Sequence, residues 1–250
     1  MLTQTATHFY QSSLLRGVPG ITHGFSLRHH GDMRIEKNRI QFLQLLSLSH
    51  PHLIMGEQVH GTNVGLVAVS SISPILGVDG LMVRRDEGKT GGLGVGVIVA
   101  DCVPILISAA DGTCVAAIHA GWKGTMGNIV GAAVKTMMSN GIEPRDIVAA
   151  IGPHIGMCCY DIPEDRAHQF QSLFKNDDRA VNKNNGKWYA DIGYMNLQQL
   201  CRAGVPKENI DFAIMCTSCQ TDIIYSYRKD SKQTFGEILS VISFGGSHEK

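Results

Sequence analysis

Apolar residues fall in short, dense runs through the middle of the chain. Positions 93–99 are apolar and β-branched with glycines set among them, positions 103–109 form a second run and positions 113–119 a third. Runs of this length bounded by turn residues predict buried strands. Asp111-Gly112, between the last two, is a hairpin signal. Antiparallel pairing across that turn brings the start of one strand beside the end of the next. Cys102 and His119, with 16 residues between them, are therefore expected side by side. The period then changes. Ile129, Val130, Ala133, Val134, Met137 and Met138 recur at helical spacing, which predicts a helix over about 125–139 that stops at Asn140-Gly141. Further along, 147–151 predicts a strand leading into Gly152-Pro153, 163–174 and 192–203 predict helices, 210–215 a strand and 236–243 a closing strand. Strands outnumber helices and hairpins mix with crossovers, so the expected class is α+β with a mixed β-sheet core flanked by helices.

Composition narrows the function classes. With 250 residues the chain can bury a full core and reads as one domain over 1–250. Its 22 basic and 22 acidic residues give a net charge of +0, which points away from nucleic acid and anionic membrane surfaces as partners. The apolar stretches are interrupted by Asp, Gly or Pro and fall short of a membrane span. Residues 1–10 lack a basic-then-apolar export signal, so the expected compartment is the cytoplasm. The odd count of seven cysteines then argues against a disulfide framework. Cys216-Thr217-Ser218-Cys219 has redox or zinc-knuckle spacing but no second pair of that spacing, and it reads as two thiols at a strand end.

The chemistry gathers elsewhere. His60, Cys102 and His119 offer two imidazoles and a thiolate, a donor set that suits zinc above all. Three protein ligands leave one position open, which is the catalytic arrangement. Asp101, at the end of a buried strand, needs a partner, and a bond to a ligand imidazole would supply one. Gly121-Trp122-Lys123-Gly124 leads into a helix, where amides favour anions, so Lys123 is a candidate for phosphate.

Several segments together resemble one family. Gln58-Val59-His60-Gly61, Ala100-Asp101-Cys102-Val103-Pro104, His119-Ala120-Gly121-Trp122-Lys123-Gly124, Ile151-Gly152-Pro153 with Ile155-Gly156, and Cys159-Tyr160-Asp161 are similar to motifs of the YfiH family, also called the multicopper polyphenol oxidase or laccase-domain family. The resemblance implies a layered α/β/β/α fold. It implies a zinc-dependent purine nucleoside phosphorylase acting on adenosine, inosine, guanosine or S-methyl-5'-thioadenosine, with adenosine deaminase activity. His60, Cys102 and His119 would hold the metal, with Cys102, His119 and Asp101 at the chemistry. Arg28, in a Gly-Phe-Ser-x-Arg-like segment, would join Lys123 and Arg228 on the substrate side, the partners being a nucleoside and phosphate. The loop after Arg28 is shorter than the family's.

Other readings remain open. Copper also accepts His and Cys, and a polyphenol oxidase is the first alternative. Multicopper chemistry needs repeated His-x-His pairs, however, and the chain has a single one, His50-Pro51-His52, with one doublet, His29-His30. A metal-free hydrolase with Cys102 as nucleophile and His119 as base leaves His60 surplus. A non-catalytic protein with a structural zinc would not need the open position.

Overall fold

The computed structural model describes residues 1–5, 9–48, 52–86 and 92–245. Two six-stranded sheets stack face to face. In the first the order is β1 (Leu2–Gln4), β2 (Tyr10–Ser12), β3 (Ile21–Phe25), β15 (Ile238–Phe244), β7 (Gly94–Val99) and β4 (Leu53–Met55). In the second it is β14 (Ile210–Phe212), β10 (Ile147–Ile151), β8 (Val103–Ala109), β9 (Cys114–Ala120), β6 (Gly80–Arg84) and β5 (Val64–Val67). Both sheets are mixed: β4–β7, β10–β14 and β5–β6 are parallel pairs, and β8–β9, β8–β10 and β7–β15 are antiparallel. A small third sheet runs β11 (Asp161–Ile162), β13 (Lys187–Ala190), β12 (Val181–Asn184).

The continuous apolar runs are explained by coverage on both faces. Along β9, Val115 and Ala117 enter the layer between the sheets, with Leu106, Val95, Val97, Ile242 and Phe244. Cys114, Ala116, Ile118 and Ala120 face the other way, into the layer beneath the helices. That outer layer is closed by α4 (Ile129–Ser139) through Val130 and Val134, α5 (Glu164–Leu173) through Phe170, and α6 (Ile192–Arg202) through Met195 and Leu200. On the far side α2 (Glu36–Leu45) lays Phe42 and Leu43 on Leu239 and Val241 of β15. The single-turn α1 (Ser13–Arg16) plugs Leu15 between the sheets. The order helix, sheet, sheet, helix is the α/β/β/α layering that the family resemblance implied, and the α+β class holds.

The expected hairpin forms, with Val103 opposite Ala120 and Pro104 opposite His119. Gly112 carries the turn at φ +71°, and a Cβ there would run into the Pro19 carbonyl. Two expectations are corrected. The helix over 125–139 is two helices: α3 (Trp122–Met126) starts earlier and ends at Gly127, and α4 restarts from Asn128. Asn128 adopts φ 60° and its side chain accepts the Gly131 N–H at 3.1 Å, so a cap interrupts what the apolar spacing joined. The strand over 210–215 stops at Phe212. Beyond it the apolar run leaves the sheet, and Ile214 is 93% exposed.

Candidate metal centre and cavity

Cys102 lies immediately before β8 and His119 near the end of β9, so the hairpin alone brings them together. His60 arrives from a turn after β4, in the left-handed region at φ 60°. Asp79, just before β6, ties the turn to the hairpin. Its Oδ1 accepts the His60 N–H at 2.8 Å and lies 2.8 Å from His119 Nδ1, while its Oδ2 accepts the Gly61 N–H at 2.6 Å. The Asp79 carbonyl also accepts the His119 N–H at 2.7 Å. One side chain that is 1% exposed therefore orders two histidine segments. A residue with a Cβ at 121 would meet His60 Cδ2 at 3.0 Å and Cys102 Sγ at 3.2 Å, so Gly121 leaves the room this corner occupies. The donor atoms of His60, Cys102 and His119 all lie within 4.8 Å of one another, and the two imidazoles meet edge to face at 4.7 Å.

Electrostatics favour ionised partners here. Burial resists ionisation of Cys102, but hydrogen bonds from His119 and His60 hold the thiol down at about 7. Burial likewise opposes protonation of His119, yet Asp79 and Cys102 raise it to about 9. Asp79 is kept below the usual carboxylate range, against its burial, by His119 and the Gly61 and His60 amides. The donor set fits a borderline divalent ion: a thiolate is available near neutral pH, and a carboxylate on Nδ1 turns the other His119 nitrogen toward Cys102.

The cluster opens onto a cavity of about 690 Å³, within the usual range for small-molecule sites. Trp122, Tyr160 and Tyr227 give it aromatic faces, Arg166 and Arg228 cationic ones, and Glu237 an acid whose pKa burial pushes up. Arg166, from α5, stacks 3.9 Å over the Trp122 ring.

The structure sorts the sequence candidates. His60, Cys102, His119, Asp101 and Arg228 all line the cavity. The bond expected between Asp101 and a ligand imidazole is made by Asp79 instead. Asp101 accepts from the Thr217 hydroxyl and, at 2.7 Å, from the Arg228 N–H, so it holds two distant loops beside Cys102. Arg28 is not among the cavity-lining residues. Its guanidinium grips Asp230 at 2.6 and 2.7 Å and stacks 4.2 Å over Tyr225. Lys123 is exposed on α3, also outside the lining. His29 and His30 stack at 3.9 Å away from the cluster, and of His50-Pro51-His52 the first two residues lie outside the described segments. Sequence reasoning missed Asp79, Arg166 and Glu237. The signal for Asp79 was the same as for Asp101: a carboxylate at the edge of an apolar strand must find partners.

A two-sheet α/β/β/α fold with a His, Cys, His corner at a cavity defines the class, and sequence comparison agrees. The chain belongs to the family described as multi-copper polyphenol oxidoreductase laccase, whose profile matches residues 22–245. It is 33% identical over 227 residues to purine nucleoside phosphorylase YlmD of Geobacillus stearothermophilus, covering 86% of this chain and 81% of that one. It is 30% identical over 216 residues to adenosine deaminase RL5 from an unknown prokaryotic organism, covering 81% and 80%. The crystal structure of YlmD from G. stearothermophilus superposes with a TM-score of 0.85 at 28% identity, covering 98% of each chain. Among the described residues no helix is long and apolar enough to cross a membrane.

Proposed function

We propose that the protein is a zinc-dependent purine nucleoside phosphorylase that also deaminates adenosine. The observation that carries this reading is the His60, Cys102, His119 corner at the wall of a cavity with both aromatic and cationic surfaces. The names of its relatives supply the reaction classes. His60, Cys102 and His119 would hold the ion, and when bound it supplies Lewis acidity at its open position. The remaining work falls to the chain. Trp122, Tyr160 and Tyr227 offer flat apolar faces to a purine. Arg166 and Arg228 hold phosphate beside the sugar, replacing Arg28 and Lys123 in that role. Glu237, kept protonated more readily than an exposed acid, carries a proton at a ring nitrogen. Asp101 positions Arg228 through its backbone. Inosine, guanosine and S-methyl-5'-thioadenosine belong to the same substrate class as adenosine.

The test is adenosine turnover with and without phosphate, alongside metal analysis of protein purified without added metal. Phosphate-dependent release of adenine with ribose 1-phosphate, and inosine from the deaminating branch, are expected. Base release at an unchanged rate without phosphate, yielding free ribose, rejects phosphorolysis. Full turnover without metal would instead favour a Cys102 nucleophile, for which the Asp79, His119, Cys102 line supplies the geometry. Copper polyphenol oxidation fits less well. Among the described residues, groups of three or more metal donors occur only at this corner and at a cluster of four cysteines, and neither is the histidine-rich multicopper centre.

A further inference from the structure

The Cys216-x-x-Cys219 pair does have a partner pair, and only the fold reveals it. Cys158 and Cys159, 57 or more residues earlier in the chain, bring their sulfurs onto it. Cys219 Sγ lies 3.6 Å from Cys158 Sγ and 3.4 Å from Cys159 Sγ, and all four sulfurs fall within 4.8 Å of one another. All four are free thiols. The backbone sets this up. His154 and Cys216 form a parallel bridge, the Thr217 N–H donates to the His154 carbonyl at 3.0 Å, and the Gly156 N–H donates to Cys216 Sγ at 3.3 Å. A tight turn then places Cys219, whose N–H donates to the Cys216 carbonyl at 3.2 Å.

We propose that Cys158, Cys159, Cys216 and Cys219 form a second metal site, a closed tetrathiolate site for zinc that is separate from the cavity corner. Sulfurs held about 2.3 Å from a tetrahedral ion stand about 3.8 Å apart, which is close to the spacing found here. Thiolates select soft or borderline ions, and an S4 set is a zinc or iron–sulfur set. An amide aimed at Cys216 Sγ favours the charged ligand. Four protein ligands leave no open position, so the site is structural. Binding displaces the thiol protons to solvent, and no electron changes hands. Its place in the fold gives it a purpose. It staples the 154–161 segment, which contributes Ile155 and Tyr160 to the cavity, to the 216–219 segment, whose Thr217 bonds Asp101 beside Cys102. Arg228, on the cavity wall, also donates to the Cys159 carbonyl at 3.4 Å.

The test is a Co²⁺ titration of the reduced, metal-stripped full chain, read by absorption and by metal count. The expected result includes the strong visible and near-ultraviolet bands of a tetrahedral cobalt tetrathiolate, quenched when Zn²⁺ is added. The double variant Cys216→Ser/Cys219→Ser should lose those bands and one ion per chain. Cys102→Ala should keep the bands and lose only what the cavity corner binds, so failure at one site is told apart from failure at the other. If the double variant does not fold, Cys158→Ser, at an exposed position, should weaken the bands and shift them as one sulfur leaves the set. Absence of tetrathiolate bands from the reduced wild-type chain overturns the proposal, as does retention of unshifted bands in a folded variant. Protein isolated without reductant that carries no ion here and has lost two or four titratable thiols would assign the cluster to disulfide chemistry and also overturn it.

Discussion

The two sulfur-bearing clusters invite comparison, because each brings together segments far apart in the chain and each faces the opposite requirement. At His60, Cys102 and His119 the donors number three, a buried carboxylate backs them, and a cavity opens on the remaining side. At Cys158, Cys159, Cys216 and Cys219 the donors number four, two are exposed at the surface, two pack against the apolar core, and a backbone amide rather than a carboxylate donates to one sulfur. The first arrangement leaves room for a reactant and invests in orienting an imidazole. The second leaves no room and invests in joining two loops. On the two proposals the first is a centre for chemistry and the second a clasp, and that difference predicts different responses to substitution.

The largest effect is expected at the corner. Cys102→Ala should remove most bound metal there and cut adenosine turnover by more than about 100-fold, since loss of a ligand should exceed the roughly 10–100-fold effects of residues behind the ligands. The fold should survive, because the core layers do not depend on the ion. Near-normal turnover with stoichiometric metal in Cys102→Ala would dissolve the distinction between the two clusters.

A histidine outside both clusters sharpens the contrast. His23 is 1% exposed, and its Nε2 accepts the Ser12 N–H at 2.9 Å, which requires the neutral ring. Burial, with Arg16 nearby, lowers its pKa to about 4 from 6.5. The unfolded chain takes up this proton at higher pH than the folded one. The contribution is therefore fully present above pH 6.5, is lost as pH falls toward 4, and amounts to about 3 kcal/mol. His119, raised by its carboxylate, behaves oppositely in the metal-free chain. Unfolding curves for wild type and His23→Gln between pH 7 and 4 measure the difference; equal pH slopes would show that His23 is not held neutral.

Asp79 comes next. Asp79→Asn keeps the shape but can present the wrong group to His119 Nδ1 and weakens the hold on the His60 turn. Metal affinity at the corner should fall about 10–100-fold, while the cysteine cluster keeps its ion. Asp101→Asn should do the reverse of Asp79→Asn in kind: metal content intact, and phosphate use impaired through Arg228. Competition with a chromophoric chelator separates the two, and equal metal loss in both variants would erase the difference between orienting a ligand and positioning a loop.

How much of this was legible in the sequence follows from how local each cause is. Cys102 beside His119 was readable because a short turn, Asp111-Gly112, fixes the register between them. The continuous apolar runs showed strands covered on both faces. The break at Asn128 was hidden, since the apolar spacing runs across it and only a left-handed φ at one residue separates the helices. Asp79 was hidden by its ordinary setting between Val78 and Gly80, and the cysteine cluster by its second pair lying in another part of the chain. Arg28 carried the family motif, yet Asp230, a residue 202 positions away, engages its charge.

The smallest effect concerns the same lesson at Lys123. Its sequence position, in Gly121-Trp122-Lys123-Gly124 at the start of a helix, made it a candidate for phosphate. In the fold it is exposed, with its ammonium 5.6 Å from the Trp122 ring centre, while Arg166 comes within 3.9 Å of that ring centre and lines the cavity. An exposed lysine at such a distance contributes little. Lys123→Ala should change stability, metal content and both activities by less than about 0.5 kcal/mol. Arg166→Ala should weaken phosphorolysis by about 1.5–3 kcal/mol, the range for a hydrogen bond to a charged group, and spare deamination, which needs no phosphate. Phosphate dependence of adenosine cleavage, measured on both variants with deamination as the internal control, decides the matter. A large, phosphate-specific loss in Lys123→Ala with none in Arg166→Ala would return the phosphate to α3 and move the cationic wall of the site away from α5.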